Sequence, residues 1–89
     1  MAYQVEFDKR ALKDLQKLDR KVTRSIMTKC SVLETDPLSG SGIKCLRANL
    51  YRLKVFRDWR VVYLVEGTKV SIILIGHRKD IYRQLPHRV

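Results

Sequence analysis

The chain has 89 residues, of which 45% are hydrophobic, which is enough for one small core and too little for a second, so we expect a single domain over residues 1–89. Nineteen Lys and Arg against nine Asp and Glu give a net charge of +10, which favours a polyanionic partner. No apolar run approaches the ~20 residues of a membrane span and the start lacks the apolar core of a signal peptide, so we expect a cytoplasmic protein with no membrane partner.

The first part of the chain is predicted to form a strand and a helical hairpin. Residues Ala2 to Phe7 alternate between apolar and polar side chains, as in a strand. Asp8 is a helix-capping residue, and the leucines after it recur at helical spacing as far as Leu18. A break near residues 19–20 precedes a second helix, which ends before Pro37. The remaining faces of both helices are rich in Lys and Arg, which indicates either a solvated surface or RNA contacts.

The second part is predicted to be a sheet. Residues 38–42 are a loop whose glycines match no phosphate-binding motif, and residues 43–49 are interpreted as a connection. Two strands joined by a tight turn span Leu50 to Val65, and a hairpin turn at residues 66–67 precedes a third strand. A short terminal helix follows. The order predicts an α+β domain, with the N-terminal strand and two-helix hairpin packed on an antiparallel sheet.

One face of this sheet is predicted to be charged. Arg52 and Lys54 alternate with apolar residues, so both cations lie on the same face. Antiparallel pairing lets Arg60 join that face, and Arg78 emerges where the third strand ends. Four cations around one patch repel each other unless an anion belongs there, and phosphate is the natural candidate. Val62 and Leu64, on the same side of their strand as Arg60, require an apolar cover.

Other kinds of catalytic site lack the residues that they need. The glutamates are spread over separate elements, so no carboxylate dyad is predicted. His77 and His87 have no nucleophile or metal partner in the pattern. Cys30 and Cys45 lack metal-ligand spacing, and we expect both to be small buried hydrophobic residues. We therefore expect no metal and no cofactor.

Phosphate chemistry is compatible with the cations. Cleavage of RNA by its own 2′-OH needs a base, cations on the developing phosphorane and an acid at the leaving oxygen. Lys54, Arg60 and Arg78 are residue types that can take these roles, and Tyr82 can stack on a base. A basic surface with a core tyrosine is an alternative of equal weight, because Lys and Arg are poor acid–base catalysts at neutral pH.

The ordered segments of the chain resemble the RelE branch of the RelE/ParE toxin superfamily. The segments that carry the resemblance are Tyr3–Phe7, Lys9–Leu12, Asp36–Leu38, Tyr51–Lys54, Trp59–Tyr63 and Ile75–Arg83. The resemblance implies a toxin of a toxin–antitoxin system, similar in fold to microbial ribonucleases. Its implied activity is that of a metal-independent endoribonuclease, an mRNA interferase that cuts messenger RNA in the ribosomal A site and so inhibits translation. The implied partners are the ribosome, mRNA and a cognate RelB-like antitoxin, whose complex with the toxin binds operator DNA through the antitoxin.

The resemblance also implies roles for individual residues. The two strand lysines of the family fall on Arg52 and Lys54, the phosphate-stabilising arginine on Arg60, the acid-side arginine on Arg78 and the stacking tyrosine on Tyr82. Because a guanidinium does not lose its proton at accessible pH, the first position cannot be a base here, and Lys54 becomes the base candidate. The spacing from Arg78 to Tyr82 is expected to place both on one side of a helix.

Two further functions stay open at this point. A ParE-like toxin of the same fold inhibits DNA gyrase by binding and needs no catalytic cations, so the complete cation set argues against it. A non-catalytic RNA-binding or ribosome-binding module would use the same patch only to neutralise phosphates.

Overall fold

A computed structural model describes residues 2–89 as one five-stranded sheet with helices on both faces. The strands in chain order are β1 (Gln4–Phe7), β2 (Ile43–Arg47), β3 (Leu50–Val55), β4 (Trp59–Glu66) and β5 (Lys69–His77). The helices are α1 (Lys9–Gln16), α2 (Arg20–Cys30) and α3 (Ile81–Gln84). None of the helices within residues 2–89 is both long and apolar enough to cross a bilayer. The predicted α+β class is confirmed.

The sheet is mixed, in the order β1-β5-β4-β3-β2. Strands β2 to β5 pair antiparallel with their neighbours, whereas β1 pairs parallel with β5. The expectation of a purely antiparallel sheet is therefore wrong for β1. A parallel neighbour cannot be reached through a short hairpin, and here the helical hairpin and β2 to β4 intervene between the two strands.

Strand β2 corrects the prediction that residues 43–49 are only a connection. It pairs antiparallel with β3, and the register shifts between Cys45 and Arg47. Ile43 packs with the core under α1 and α2, whereas Leu46 packs on the opposite face. A bulge of this kind interrupts the period-two alternation that identifies a strand, which is why the sequence pattern did not show β2.

Both predicted helix starts are confirmed by their caps. The Asp8 carboxylate accepts a hydrogen bond from the backbone N–H of Arg10 (2.8 Å), and Asp19 accepts one from Lys21 (3.1 Å). The hydrogen bonds from Arg10 hold the pKa of Asp8 below its usual value. Of the predicted apolar positions Leu15 is buried, while Leu12 is 44% exposed.

The two helices cover one face of the sheet. The fully or nearly buried side chains there are Ala11, Leu15, Ile26, Cys30, Leu33, Leu53, Val55, Val61, Tyr63, Val70, Ile72 and Ile75. Tyr63 donates its hydroxyl hydrogen to the carbonyl of Pro37 (2.6 Å), and burial raises the pKa of the phenol. The bond ties the loop after α2 to the centre of the sheet.

The two cysteines differ in exposure. Cys30 is buried in the helix-side core, as expected, and burial raises the pKa of its thiol to about 12. Cys45 is exposed on β2, so the prediction that both are buried is wrong for this residue. The reason is that β2 is the edge strand of the sheet, with no strand beyond it.

The opposite face of the sheet is divided into two halves. One half is apolar and consists of Leu50, Val62, Leu64, Ile73 and Leu74, packed with Leu46, Ile81 and Leu85. Val62 is completely buried and Leu64 partly so, and the predicted apolar cover is thus α3 with the residues after it. The other half of this face carries the cations.

The C-terminus is held by what we call the clasp, the ion pair of Asp14 on α1 with Arg88. Its two bonds are bidentate, 2.9 Å from Nη1 to Oδ2 and 3.0 Å from Nη2 to Oδ1. Arg88 Nη1 also donates to Ile73 O (2.9 Å), and Asp14 Oδ2 accepts from Ile75 N (3.1 Å). Pairing of β1 with β5 ends at Ile72. Beyond that point the clasp, in place of β1, provides hydrogen-bond partners for backbone groups on the edge of β5.

Candidate functional site

The sheet register brings the predicted cations onto one surface. Lys54 lies directly opposite Arg60, and Arg60 lies opposite Gly76, which has no side chain. Arg52 follows on the same face one pleat away, and its neighbour across β2 is Lys44. Directly opposed residues have Cβ atoms ~5 Å apart, and like charges at that spacing are destabilising. We call Arg52, Lys54, Arg60 and Arg78 the cationic row.

Lys44 is a cation that the sequence reasoning missed. It is exposed and faces Arg52 across the β2–β3 pair. Its position was not predictable while residues 43–49 were interpreted as a connection, because a loop residue has no defined facing partner. The only sequence signal for it is the change from apolar Ile43 to charged Lys44 a few residues before β3, which is compatible with a short strand that pairs with β3.

Arg52 is held by the loop before β2. Its Nη1 donates to the carbonyl of Gly42 (3.3 Å), and that carbonyl also accepts the backbone N–H of Lys54 (2.9 Å). Gly42 has φ +81°, and a Cβ there would lie 3.3 Å from the Lys54 carbonyl, so glycine suits both the backbone angle and the close approach. Within residues 2–89 the buried Arg52 Nε has no acceptor, so the burial of this donor is not compensated by a hydrogen bond.

Lys54 and Arg60 have no carboxylate partner among the described residues. Arg60 Nη1 donates to the carbonyls of Arg57 and Trp59, both at 3.0 Å, which folds the guanidinium towards the β3–β4 turn. No hydrogen bond or ion pair to the Lys54 ammonium occurs within residues 2–89, and this side chain is exposed. Two opposed cations thus stay without an internal counter-charge.

Arg78 lies at the end of the same surface but is held differently. Its Nε is 3.3 Å from Asp58 Oδ1, and its backbone N–H donates to Asp58 O (2.7 Å). Both side chains are about half exposed. Arg78 comes directly after β5, as predicted, but α3 begins only at Ile81. The expectation that Arg78 and Tyr82 share one side of a helix is therefore wrong.

Tyr82 is not brought to the cations in this conformation. It is 50% exposed and lines a groove with Arg47, Leu50, Leu85, Pro86 and Val89. Leu50 precedes Lys54 by four residues on the same face of β3, a separation of ~13 Å along the strand. The exposure of Tyr82 argues against a core tyrosine, and the stacking role of Tyr82 stays a prediction.

The histidines are not part of the cationic row. His77 is on the helix side of the sheet, where its ring meets Trp59 edge-on at 5.5 Å, and its Nδ1 accepts the N–H of Lys79 (3.1 Å). His87 is exposed in the C-terminal segment. Within residues 2–89, no three His, Cys, Asp or Glu side chains converge where they could hold a metal ion.

The comparisons with known proteins agree with this geometry. Residues 5–82 match the family described as the ParE toxin of the type II toxin–antitoxin system, parDE. The chain belongs to this toxin family. The mRNA interferase toxin RelE of Escherichia coli K12 is 30% identical to it, with 100% of this chain and 99% of that protein covered. The superfamily resemblance drawn from the sequence is thereby confirmed.

Solved structures of RelE toxins share the fold. A variant of E. coli RelE in the free state superposes with a TM-score of 0.82 at 26% identity, covering 100% of this chain and 99% of that one. RelE in an archaeal RelE–RelB complex from Pyrococcus horikoshii gives a TM-score of 0.76 at 27% identity, covering 88% and 97%. This chain therefore has the RelE-like fold over its whole length, including the sheet face on which the cationic row lies.

Proposed function

We propose that this toxin is a RelE-type endoribonuclease that cleaves messenger RNA on the ribosome and so inhibits translation in the cytoplasm. The observation that carries the proposal is the pair of opposed cations, Lys54 and Arg60, without a carboxylate partner in residues 2–89. Self-repulsion of this kind persists where an anion is to be bound, and the RNA backbone supplies one at each nucleotide. The 30% identity to an mRNA interferase over the whole chain supports the same activity.

The proposed reaction uses the cations in distinct roles. Lys54, as free amine, takes the proton of the 2′-OH while the 2′-oxygen forms a bond to phosphorus. Arg52 and Arg60 stabilise the developing charge on the phosphorane, and the bond to the 5′-oxygen breaks. Arg78 donates a hydrogen bond to that leaving oxygen, a water molecule supplies the proton that the oxygen takes up, and Lys54 returns its own extra proton to solvent. The products are a 2′,3′-cyclic phosphate and a 5′-hydroxyl end.

Dependence on the ribosome follows from the weakness of these acid–base groups. Arginine and lysine are poor proton carriers near neutral pH. An enzyme that relies on them gains most from a substrate that is already held with its 2′-oxygen in line with the leaving group. The ribosome provides such a fixed messenger, so naked RNA should be cut far more slowly.

We also propose an antitoxin with an acidic segment as the partner. RelE of P. horikoshii was crystallised with RelB, and this chain carries a net charge of +10. An acidic segment across the cationic row would relieve the repulsion and block access of phosphate. Affinity for such an antitoxin should fall as salt rises, and an affinity independent of ionic strength would contradict electrostatic pairing as its main source.

The test of the activity compares programmed ribosomes with the same naked messenger at equal toxin concentration. We expect cleavage within codons on the ribosome only, loss of cleavage in Lys54→Met, and full activity in Lys13→Met, a matched exposed lysine on α1. Efficient cleavage of the naked messenger would contradict the ribosome dependence. Binding to ribosomes without any cleavage would instead identify a non-catalytic module.

Inhibition of DNA gyrase is the second candidate, because the matched family is named for the ParE toxin. It predicts loss of supercoiling by purified gyrase, DNA breaks in growing cells and intact messenger RNA. The lack of a carboxylate partner for Lys54 and Arg60 within residues 2–89 argues against it, since inhibition by binding requires no catalytic cations.

A further inference from the structure

A groove of about 550 Å³ opens between α2 and the far end of β3. It is lined by Arg24, Ser25, Thr28, Lys29, Val32, Lys54, Val55 and Phe56. The pairing of β2 with β3 begins at Leu53, so the last residues of β3 have no neighbouring strand on this side. Lys54 lines the groove and also belongs to the cationic row. The groove on the helix side of the sheet and the row on the opposite face therefore adjoin at Lys54, at the end of β3.

Phe56 is the least expected residue of this groove. It is 66% exposed, the largest exposed fraction among the large hydrophobic side chains of residues 2–89. Its φ is +55°, a left-handed conformation that costs a bulky residue free energy and that Gly or Asn adopts more easily. A strained backbone that presents an aromatic ring to solvent points to a function for the ring.

The other groove residues match a nucleotide in their chemistry. Arg24, Lys29 and Lys54 are cations, and Ser25 and Thr28 supply hydroxyl groups. No carboxylate lines the groove, and among the described residues these five side chains have no hydrogen bond or ion pair of their own. Phosphate and sugar oxygens are bound by such cations and hydroxyls, while bases stack on aromatic rings.

We propose that this groove is a subsite for one nucleotide of single-stranded RNA beside the cleaved phosphate. Phe56 stacks on the base, and Arg24 and Lys29 bind the phosphate. The proposal rests on the proposed ribonuclease function, since the strand reaches the groove past Lys54. A volume of about 550 Å³ lies within the range of small-molecule sites.

RNA is favoured over an acidic protein segment by the apolar lining. An amphipathic helix needs a wide apolar floor, whereas here the aliphatic residues are only Val32, which is 36% exposed, and Val55, which is 2% exposed. The single ring of Phe56 offers one stacking platform, which suits one base and would leave most of an apolar helix face uncovered.

The first experiment measures stacking directly. A short 2′-O-methyl RNA carrying 2-aminopurine cannot be cleaved by 2′-OH attack, and its fluorescence is quenched when the base stacks. We expect Phe56→Ala to weaken binding by about fivefold to a hundredfold and to abolish the quenching, and Phe56→Tyr to keep both. Met27→Ala, a matched exposed hydrophobic residue on α2 that does not line this groove, should behave as wild type.

The second experiment counts phosphate contacts. For single-stranded nucleic acid, each neutralised phosphate contributes about 0.7 to the slope of log affinity against log salt. Removing two contacts in Arg24→Ala/Lys29→Ala should reduce the slope by about 1.4, whereas Lys9→Ala/Lys13→Ala, outside the groove, should change it less. Equal reductions in both double variants would overturn the assignment of Arg24 and Lys29.

The outcomes separate the subsite from the activity. If the wild type cuts messenger RNA on ribosomes but Phe56→Ala neither weakens binding nor changes quenching, the subsite is wrong and the ribonuclease stands. If quenching depends on Phe56 but the protein cuts no messenger RNA on ribosomes, the RNA subsite is supported and the proposed ribonuclease function is contradicted. If Phe56→Ala loses affinity for a glutamate-rich peptide and keeps affinity for the RNA, the groove is a protein-binding site and the proposal is overturned.

Discussion

The clasp and the cationic row are both groups of charged side chains at the sheet, but within residues 2–89 only the clasp is fully paired, since in the row Arg78 alone has a carboxylate partner. The side chains of Asp14 and Arg88 are 11% and 16% exposed. They form an ion pair, and each also makes a hydrogen bond to a backbone group of β5. In the row, Lys54 and Arg60 face each other without a carboxylate among the described residues. Charge that is matched internally holds the fold, and charge left unmatched is available to an external anion.

The largest effect is expected on the rate of RNA cleavage, when Lys54 of the cationic row is changed. Lys54→Arg keeps the positive charge but removes the only side chain of the row that can become a free amine. We expect single-turnover cleavage on programmed ribosomes to slow by ~10²–10⁴-fold, as is typical when a general base is lost.

The stability of Lys54→Arg should be unchanged, because Lys54 is exposed and its ammonium has no hydrogen bond or ion pair within residues 2–89. This sharpens the comparison, since a residue of the row would then matter for activity alone. A wild-type cleavage rate in Lys54→Arg would mean that Lys54 acts only as a cation and that the base is another group.

The second effect is expected in the clasp and on stability. Arg88→Ala leaves the Asp14 carboxylate and the Ile73 carbonyl without a partner, which should cost about 3 kcal/mol of unfolding free energy in urea. Arg83→Ala is the matched control: it also removes an arginine paired with an aspartate, but its side chain is 77% exposed, and it should change stability by less than about 1 kcal/mol.

The double variant Asp14→Ala/Arg88→Ala separates pairing from packing. Because it removes both charges, it should cost less than the sum of the two single variants. Strict additivity would show that the two side chains stabilise the fold independently, and the clasp would then be no more balanced than the row.

The sequence predicted the row better than the clasp, and the reason is distance along the chain. Alternation over Arg52 and Lys54 was sufficient to place both on one face, because successive side chains of a pleated strand point to opposite faces. The clasp joins residues 74 positions apart, and no local pattern marks them. β2 was missed because its bulge interrupts the alternation, and Lys44 was missed with it.

The place of Tyr82 was not predictable for a different reason. Its spacing from Arg78 fits one helical turn, but the chain first makes a turn and α3 begins only at Ile81. The apolar pattern of Ile81 and Leu85, which pack on the sheet, decides where α3 lies. Packing of the helix thus overrides the spacing argument, and Tyr82 points to a groove beside Leu50.

The third prediction concerns whether Tyr82 belongs to the row in function. Tyr82→Ala should slow cleavage by roughly ten- to a hundredfold if stacking worth ~1–3 kcal/mol is made in the transition state, and Tyr82→Phe should keep most activity. Because the ring is 50% exposed, the melting temperature should change little. A fall typical of a core truncation would place Tyr82 with the structural residues instead.

The smallest effect is expected at Arg52, and it has opposite signs for stability and activity. Its Nε is buried without an acceptor in residues 2–89, and it neighbours Lys44 and Lys54. Arg52→Met removes an unsatisfied donor and part of the repulsion while keeping the aliphatic stem, so unfolding free energy should rise by up to ~1 kcal/mol. Cleavage should fall, because one cation on the phosphorane is lost.

Arg52→Lys should keep much of the activity, with some loss where two guanidinium donors act together. If Arg52→Met destabilises the protein in urea, then Arg52 serves the fold through its bond to Gly42, and the contrast between the row and the clasp does not hold at this residue.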